Sequence, residues 1–508
     1  MSPSGEQMSD TLSAAAAIRA GLDFPIVDGD GHLLEMLPVF VEYVRETSGE
    51  RWADAFATST AYQRFCAPWD TTDDARRDRW ISMPNLWSWP TKNTLDRATA
   101  TVPGLYASRM DVLGIDFSIL YPSAGLFIVA LGDPELREEI NRAYNRWVME
   151  LCGPYRDRMA PVALIPMNTP EEAIRHLDYA VGELGHKVVC LQGFVARPIE
   201  AAQRTAHGAG EYGVRLDYFG LDSDYDYDPV WARCVELKVA PTFHSATGLR
   251  GGRSVTNYTY NHIGQFAQAE EGLAKALFLG GVTHRFPTLN FGFLESGAGW
   301  MCSLLSDLVG HYERRNLQAM AYVDPAQLDV GRLMGYIESH GDAFTRRHIE
   351  RARSYYGGRF LPLPDHDDFS RTGVGRAQDV IDAFVPRFYV GCEADDRSVA
   401  WAFDARVNPG GSRIRAMFGS DVGHWDVTDV GEVVVEAHEL VEHGLVTADD
   451  FRQFMFGNPV ELHAGMNPDF FTGTRVEREV ADYLAGKVSA TAADAAGQKV
   501  QPMMTEKV

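Results

Sequence analysis

Residues 25–35 read Pro25-Ile26-Val27-Asp28-Gly29-Asp30-Gly31-His32-Leu33-Leu34-Glu35, a short apolar run that leads into alternating polar side chains. Successive side chains of a β-strand point to opposite faces, so Asp28, Asp30 and His32 should lie on one side if the strand continues. A carboxylate and an imidazole two residues apart at a strand end can bind one divalent ion. The pattern also fits an acidic turn with a surface histidine, and residues further along the chain are needed to choose between these interpretations.

The composition is that of an acidic globular protein. The chain has 508 residues, of which 45% are hydrophobic and 23% charged. Its formal net charge of -23 would repel phosphate backbones and anionic lipids, so we expect neither nucleic acid nor a membrane surface as a partner. The six cysteines form no Cys-x-x-Cys pair, and no signal peptide or long apolar span is recognisable. We therefore expect a cytoplasmic protein with reduced cysteines.

Both ends of the chain have compositions that predict disorder. Residues 1–22 are rich in Ser, Ala and Gly, residues 486–508 are rich in Ala, Thr, Lys and Gln, and neither segment has an apolar period. Between a disordered arm and a disordered tail, we expect one domain over residues 23–485.

Apolar runs alternate with helical segments along this domain. One helix should begin at Thr169-Pro170-Glu171-Glu172, because Thr can cap a helix and Pro suits its first position. Eight apolar runs end near the following residues: His32, Pro122, Pro166, Phe194, His244, Glu295, Glu393 and Asp421. Eight strands separated by helices predict an α/β fold, a (β/α)8 TIM-type barrel, and a doubly wound open sheet is the alternative.

Two segments are predicted to be insertions. One insertion, at about residues 300–380 after strand 6, is predicted to be mostly helical. The other, at about residues 36–114 after strand 1, is predicted to be an inserted subdomain or lid. It contains half of the tryptophans: Trp52, Trp69, Trp80, Trp87 and Trp89. These rings either pack a small core or a subunit interface, or line the site as an apolar wall for an aromatic substrate.

Polar side chains stand at the ends of several predicted strands, and in a barrel these ends meet on one face. Strand 1 supplies Asp30 and His32, strand 5 supplies His244, and strand 8 supplies Asp421. Two histidines and two carboxylates from three strands can surround one ion and leave positions for water or substrate. We predict that these four residues bind one divalent metal ion.

Other polar residues near the strand ends are candidates for catalysis or substrate binding. Glu295 ends strand 6, His424 follows strand 8, and His262 lies in a polar aromatic stretch after strand 5. Each also has a structural interpretation. Glu295 could form hydrogen bonds with the backbone at the rim of the barrel, and each histidine could be an ordinary loop residue. Arg250 and Arg253 follow strand 5 and are candidates for binding an anionic substrate, and a solvated loop is the alternative.

Five segments carry a resemblance to a known family: Val27-Asp28-Gly29-Asp30-Gly31-His32, Arg109-Met110-Asp111-Val112-Leu113-Gly114-Ile115-Asp116, Phe243-His244, Phe418-Gly419-Ser420-Asp421 and Gly457-Asn458-Pro459-Val460-Glu461-Leu462. With these segments the chain resembles the amidohydrolase superfamily over about residues 24–466. The resemblance is closer to its amidohydrolase-related branch, which includes aromatic acid decarboxylases. It implies that Asp30, His32, His244 and Asp421 bind a single divalent metal ion.

Two positions depart from the pattern of that family. Strand 1 offers Asp30 where many relatives have His or Glu, which makes the metal site harder. Zinc is the first expectation for the metal, with manganese or iron as alternatives. Strand 6 ends in Glu295 where relatives commonly place a histidine, so the proton donor is open among Glu295, His424 and His262.

The resemblance implies an enzyme that acts on a small molecule. In non-oxidative decarboxylation of a small aromatic or cyclic carboxylic acid, an acid would protonate the ring carbon before CO2 leaves. In hydrolysis of an amide, a lactone or another cyclic or ring-substituted substrate, Asp421 would accept the proton of a metal-activated water. We expect decarboxylation first, hydrolysis second, and a non-catalytic binding barrel third. We also expect a homo-oligomer, a dimer or higher.

Overall fold

The computed structural model describes residues 12–66, 72–83, 92–245, 252–357 and 367–498. Within these ranges the strands are β1 (Val27–Leu33), β2 (Phe117–Pro122), β3 (Met159–Ile165), β4 (Val188–Leu191), β5 (Val195–Pro198), β6 (Val214–Asp217), β7 (Pro241–Phe243), β8 (Phe291–Phe293), β9 (Phe388–Cys392) and β10 (Arg415–Phe418).

The helices of the N-terminal half are α1 (Ala14–Gly21), α2 (Leu37–Thr47), α3 (Glu50–Ala57), α4 (Thr60–Cys66), α5 (Asp73–Arg79), α6 (Thr94–Thr101), α7 (Pro103–Leu113), α8 (Pro134–Cys152), α9 (Pro170–Leu177), α10 (Glu200–Thr205) and α11 (Asp228–Leu237). Those of the C-terminal half are α12 (Tyr258–His262), α13 (Gln265–Leu279), α14 (Val282–Arg285), α15 (Gly299–Arg315), α16 (Val330–His340), α17 (Ala343–Arg347), α18 (Ile349–Tyr356), α19 (Ala377–Phe384), α20 (Val399–Phe403), α21 (Val433–Glu442), α22 (Ala448–Arg452), α23 (Asn458–Ala464) and α24 (Glu477–Gln498). Over the described ranges, no helix is long and apolar enough to cross a membrane.

Eight strands form one parallel sheet with the order β1-β2-β3-β4-β7-β8-β9-β10. The last strand returns to the first, because the backbone N–H of Asp421, just after β10, donates to the carbonyl of Asp30 at 3.0 Å. The sheet is therefore a nearly closed barrel with helices between its strands, which confirms the predicted (β/α)8 fold. A separate two-stranded antiparallel sheet of β5 and β6 was not predicted from the sequence.

Apolar burial fixes the barrel strands in place. All seven residues of β1 are buried, and so are all residues of β2, β3, β4, β7, β8 and β9. Parallel strands covered on both faces need such continuous apolar runs. The predicted start of α9 is also confirmed, since Thr169 accepts a hydrogen bond from the N–H of Glu172 and Pro170 is its first residue. A rigid scaffold thus presents the residues that follow each strand.

The segment after β1 is helical and reaches the rim of the barrel. The indole N–H of Trp80 donates to the carbonyl of Arg253 at 2.9 Å, and the N–H of Met83 donates to the carbonyl of Ser254 at 3.0 Å. These bonds join the segment to the residues that follow β7. Three of the five tryptophans of the predicted insertion, Trp69, Trp87 and Trp89, lie outside the described residues.

The segment at about residues 300–380 is mostly helical, as predicted. Its first helix, α15, packs against α13 and α19 among the outer helices of the barrel, and α16 to α18 follow. The bounds of the insertion stay a prediction. Most of the Pro- and Asp-rich break predicted near residue 361 lies outside the described residues.

The predictions of disorder at the two ends are wrong for the residues nearest the domain. Ala14–Gly21 form α1, which is capped by Ser13 and packs on α7 and α21, with Ala15 fully buried. At the other end α24 continues past residue 485 to Gln498. Alanine has a high helix propensity, and a small side chain allows close packing, so an alanine-rich composition alone did not distinguish a helix from a loose arm.

Candidate metal centre

The four predicted metal ligands come together at the end of the barrel where the strands terminate. Nε2 of His32 lies 3.3 Å from Oδ1 of Asp421, 3.5 Å from Oδ1 of Asp30 and 3.2 Å from Nε2 of His244. Two atoms bound to the same ion, each about 2.0–2.2 Å from it, lie roughly 3–4 Å apart. The side chains therefore have the spacing of ligands that share one ion.

Glu295 and His424, two of the predicted catalytic residues, border the same cluster. Oε2 of Glu295 lies 3.0 Å from Nε2 of His244 and 3.8 Å from Nδ1 of His424. Nδ1 of His424 lies 2.6 Å from Oδ1 of Asp421. The convergence thus contains three carboxylates and three imidazoles, all of them buried.

The hydrogen bonding of these groups fits a bound cation. Oδ1 of Asp30, Oε2 of Glu295 and Oδ2 of Asp421 are buried and accept no hydrogen bond from the described residues. Buried carboxylate oxygens without a partner are strongly unfavourable unless an ion compensates them. We conclude that the residues present suit a divalent metal ion, which the chemistry of two imidazoles and several carboxylates also favours.

The pKa values point in the same direction. Burial, together with the nearby His424, lowers the pKa of His244 to about 3, so its imidazole is neutral and has a lone pair available. Burial raises the pKa of Asp30 and Glu295 well above the usual range, and the carboxylate of Asp421 raises both further. A cation among these groups would offset their repulsion and allow the carboxylates to ionise.

Two cluster residues have a strained backbone. Glu295 and Asp421 have φ angles of +51° and +48°, in the left-handed region that residues other than glycine rarely adopt. Each follows the end of a barrel strand, and such a conformation costs about 1 kcal/mol or more. Strain of this kind is concentrated at functional sites, where it directs a side chain toward a ligand.

Asp28 does not join the cluster, although the alternation along strand 1 predicted it on the same side as the metal ligands. The register between β1 and β2 shifts between Asp28 and Gly31, so simple alternation does not continue. Asp28 instead accepts hydrogen bonds from Ser118 Oγ at 2.6 Å and from the N–H and Oγ of Ser420 at 2.8 and 2.7 Å. It therefore connects β1 and β2 to the residue directly before Asp421.

Two further residues that orient the cluster were not singled out from the sequence. Ser123 Oγ lies 3.3 Å from Nδ1 of His32 and 3.3 Å from Nε2 of His424. Glu35 holds this turn, because its carboxylate accepts hydrogen bonds from the N–H groups of Ser123 and Ala124. A polar residue directly after predicted strand 2 was the available signal in the sequence.

Aromatic rings surround the entrance to the cluster. His262 Nε2 lies 4.0 Å from Oε1 of Glu295, and the His262 ring lies edge-on to Trp425 and Phe266 at centroid distances of 5.4 and 6.2 Å. Together they line a cavity of about 480 Å³ that opens beside Glu295. A cavity of this size with aromatic walls suits a small flat molecule.

The arginines predicted to bind an anionic substrate belong to the loop after β7. Arg253 donates to the carbonyl of Asn261 and, at 3.1 Å, to Oε1 of Gln265, and so ties together the segment that carries His262. Arg250 lies outside the described residues. A role for either arginine in substrate binding remains a prediction.

A family model described as amidohydrolase matches residues 95–463, which is most of the chain. The chain belongs to the amidohydrolase family. The match in this amidohydrolase includes His244, Glu295 and Asp421, whereas Asp30 and His32 precede it. Membership confirms the expected superfamily and class of enzyme, and it leaves the non-catalytic barrel without support. No curated protein matches the chain.

Several solved structures are similar to this chain at low sequence identity. The amidohydrolase map2389c from Mycobacterium avium subsp. paratuberculosis K-10 has a TM-score of 0.50 and 16% identity, over 87% of this chain and 99% of that chain. The 2,6-dihydroxybenzoate decarboxylase from Rhizobium has a TM-score of 0.46 and 17% identity, over 87% and 98% of the two chains. A dihydroxybenzoic acid decarboxylase from Polaromonas sp. JS666, with bound manganese and the inhibitor 2-nitroresorcinol, has a TM-score of 0.47 and 17% identity, over 87% and 97%.

Proposed function

We propose that this amidohydrolase is a metal-dependent decarboxylase that removes CO2, without oxidation, from a small aromatic or cyclic carboxylic acid. The observation that supports a metal-dependent reaction is the convergence of Asp30, His32, His244 and Asp421. Nε2 of His32 has an atom of each of the other three within 3.5 Å. Titratable groups gathered in this way at the end of barrel strands are the usual location of catalysis in this fold.

The donor set favours a harder metal than the zinc expected from the sequence. Two carboxylates, of Asp30 and Asp421, stand beside the two imidazoles of His32 and His244. Oxygen-rich sites suit Mn²⁺ or Fe²⁺ better than Zn²⁺. When bound, such an ion would supply positive charge that attracts the carboxylate of the substrate and polarises it.

Glu295 is the residue best placed to deliver the proton. Its Oε2 faces the cluster, whereas its Oε1 faces His262 at the entrance, so one carboxyl group borders both the metal ligands and the cavity. In the proposed reaction the carboxyl proton passes to the ring carbon that bears the carboxylate. The bond to that carboxylate then breaks, its electrons return to the ring, and CO2 leaves.

The aromatic entrance would hold the ring of the substrate. Phe266 lies edge-on to His244 at 5.1 Å between centroids, and Trp425 lies edge-on to His262 at 5.4 Å. Rings in these positions offer apolar surface to a flat ring and exclude water from the carbon that is protonated.

Hydrolysis is the second candidate, and one contact favours it. Nδ1 of His424 lies 2.6 Å from Oδ1 of Asp421, so the two side chains can act as a pair that accepts a proton from an attacking water. This arrangement would serve an amide, a lactone or another cyclic or ring-substituted substrate.

An assay of the manganese-loaded protein distinguishes the two reactions. We expect release of CO2 from at least one hydroxylated aromatic acid in a panel and no turnover of amides and lactones. Turnover of an amide or a lactone without CO2 release would overturn decarboxylation and support hydrolysis instead.

A further inference from the structure

A second group of carboxylates lies beside the metal cluster and has no role in the proposed reaction. Glu393 directly follows β9, and Asp426 lies in the loop after β10, two residues beyond His424. One oxygen atom from each of Glu393, Asp421 and Asp426 lies within 4.8 Å of the other two. Asp421 is therefore shared between this group and the first cluster.

Buried oxygens without partners point into this group. Oδ1 of Asp421 lies toward His32 and His424, while Oδ2 also accepts no hydrogen bond from the described residues. The Asp421 side chain is only 3% exposed. Oδ1 of Asp426 is likewise inaccessible to solvent and accepts no hydrogen bond from a donor group in the described part of the chain. Carboxylates that are merely part of a solvated acidic surface would have their oxygens in water.

The local negative charge is larger than one divalent cation can offset. The two groups together contain five carboxylates, and one divalent ion offsets only two of their five negative charges when all are ionised. These carboxylates are Asp30, Glu295, Glu393, Asp421 and Asp426. Among the residues that the structure describes, no lysine or arginine forms an ion pair with the last three of these carboxylates. Uncompensated charge of this size is strongly unfavourable in a partly buried cavity.

We propose that Glu393, Asp421 and Asp426 bind a second divalent cation, and that Asp421 bridges it to the first. Carboxylate oxygens alone are hard ligands, so the expected ion is Mn²⁺ or Mg²⁺ and not a thiophilic metal. The inference rests on the first metal site of the proposed function, because it uses Asp421 in common. The second ion would lie at the cavity side of the cluster, where it would attract an anionic substrate into a cavity that several carboxylates and Arg397 also line.

Metal stoichiometry tests the proposal. The purified protein is incubated with excess MnCl2, freed of unbound metal by gel filtration and analysed for manganese by mass spectrometry. We expect two manganese ions per chain in the wild type and one in each of the variants Glu393→Gln and Asp426→Asn. The matched control is Asp395→Asn, which removes an exposed neighbouring carboxylate and should keep two ions. Circular dichroism checks that each variant is folded, and the two variants test the site independently.

An electron paramagnetic resonance spectrum adds a second readout. Two Mn²⁺ ions about 3.5–4 Å apart are exchange-coupled, so the wild type should show a coupled signal and both variants the spectrum of an isolated ion. One ion per chain in the wild type and in both variants would overturn the second site and leave the proposed function standing. No bound manganese in the wild type would overturn both.

Discussion

At the level of single residues, the centre combines neutral imidazoles with carboxylates that repel one another. Burial keeps His244 and His424 neutral, while the carboxylates of Asp30 and Asp421 have oxygens with no hydrogen-bond partner among the described residues. Neutral imidazoles and unpaired carboxylates are the forms in which these side chains bind metal ions. The role of each residue can therefore be tested by removing one charge or one hydrogen bond at a time.

Asp421→Asn should abolish turnover and leave the fold intact. The change removes a negative charge from a predicted metal ligand and keeps the shape of the side chain, and we expect kcat/KM to fall by about 100-fold or more. Steady-state kinetics and circular dichroism measure the two effects, with Asp395→Asn as the control. Activity close to that of the wild type would contradict the role given to Asp421.

Ser123→Ala should weaken metal binding through the two histidines that Ser123 contacts. Its hydroxyl lies 3.3 Å from both His32 and His424, and loss of a group that orients a metal ligand typically lowers metal affinity by about 10–100-fold. Calorimetric titration with MnCl2 measures the affinity, and Ser123→Thr, which keeps a hydroxyl, should restore most of it. Equal affinities for the wild type and the alanine variant would show that Ser123 does not orient the ligands.

His463, which lies on α23 and stacks on Phe470, should make stability depend on pH. Burial lowers its pKa to about 3, whereas in the unfolded chain the pKa is about 6.5. Between these values only the unfolded state binds the proton, so stability is greatest above about pH 6.5 and decreases as the pH falls toward 3. From pH 7 to pH 5, urea unfolding should show that the wild type loses about 2 kcal/mol more than His463→Gln. The same loss in both proteins would contradict this.

At the level of secondary structure elements, the centre depends on the contact between β1 and β10. Gly419 makes this contact possible, since a Cβ atom there would lie 2.8 Å from Cβ of Asp30. Asp28 reinforces it through its hydrogen bonds to Ser420. The first and last strands of the barrel thus hold predicted metal ligands from both ends of the chain in register.

Gly419→Ala should destabilise the protein and weaken metal binding together. The added methyl group would push Asp30 away from β10, and overpacking of this kind costs about 1–3 kcal/mol. Chemical unfolding measures the change in stability, and Gly132→Ala is the control because a Cβ at Gly132 meets no atom within 4 Å. A variant as stable as the control would show that the two strands can separate without penalty.

The elements also show what sequence could and could not predict. Strand ends could be predicted, and because the ends of parallel strands meet on one face, the positions of Asp30, His244 and Asp421 followed from the fold. The position of Asp426 could not, because it lies in the loop after β10, where no periodic pattern in the sequence places a side chain. The position of Asp28 was wrong because a shift of register is set by contacts with β2 and not by local pattern. Helix α1 was missed because its stability comes from packing on distant helices.

At the level of the whole molecule, the barrel brings together residues that are far apart in the chain. His32 and Asp421 come together because the sheet closes, and Nε2 of His32 lies 3.3 Å from Oδ1 of Asp421. A bound ion would therefore stabilise the closed barrel, because the unfolded chain cannot present these ligands together. Closure of the barrel and assembly of the candidate metal site therefore depend on each other.

Anomalous X-ray diffraction from a crystal grown with MnCl2 tests the central claim most directly. We predict a manganese peak about 2.0–2.4 Å from Nε2 of His32, Nε2 of His244 and carboxylate oxygens of Asp30 and Asp421. A crystal saturated with manganese that shows no anomalous peak bonded to these four side chains would contradict the account.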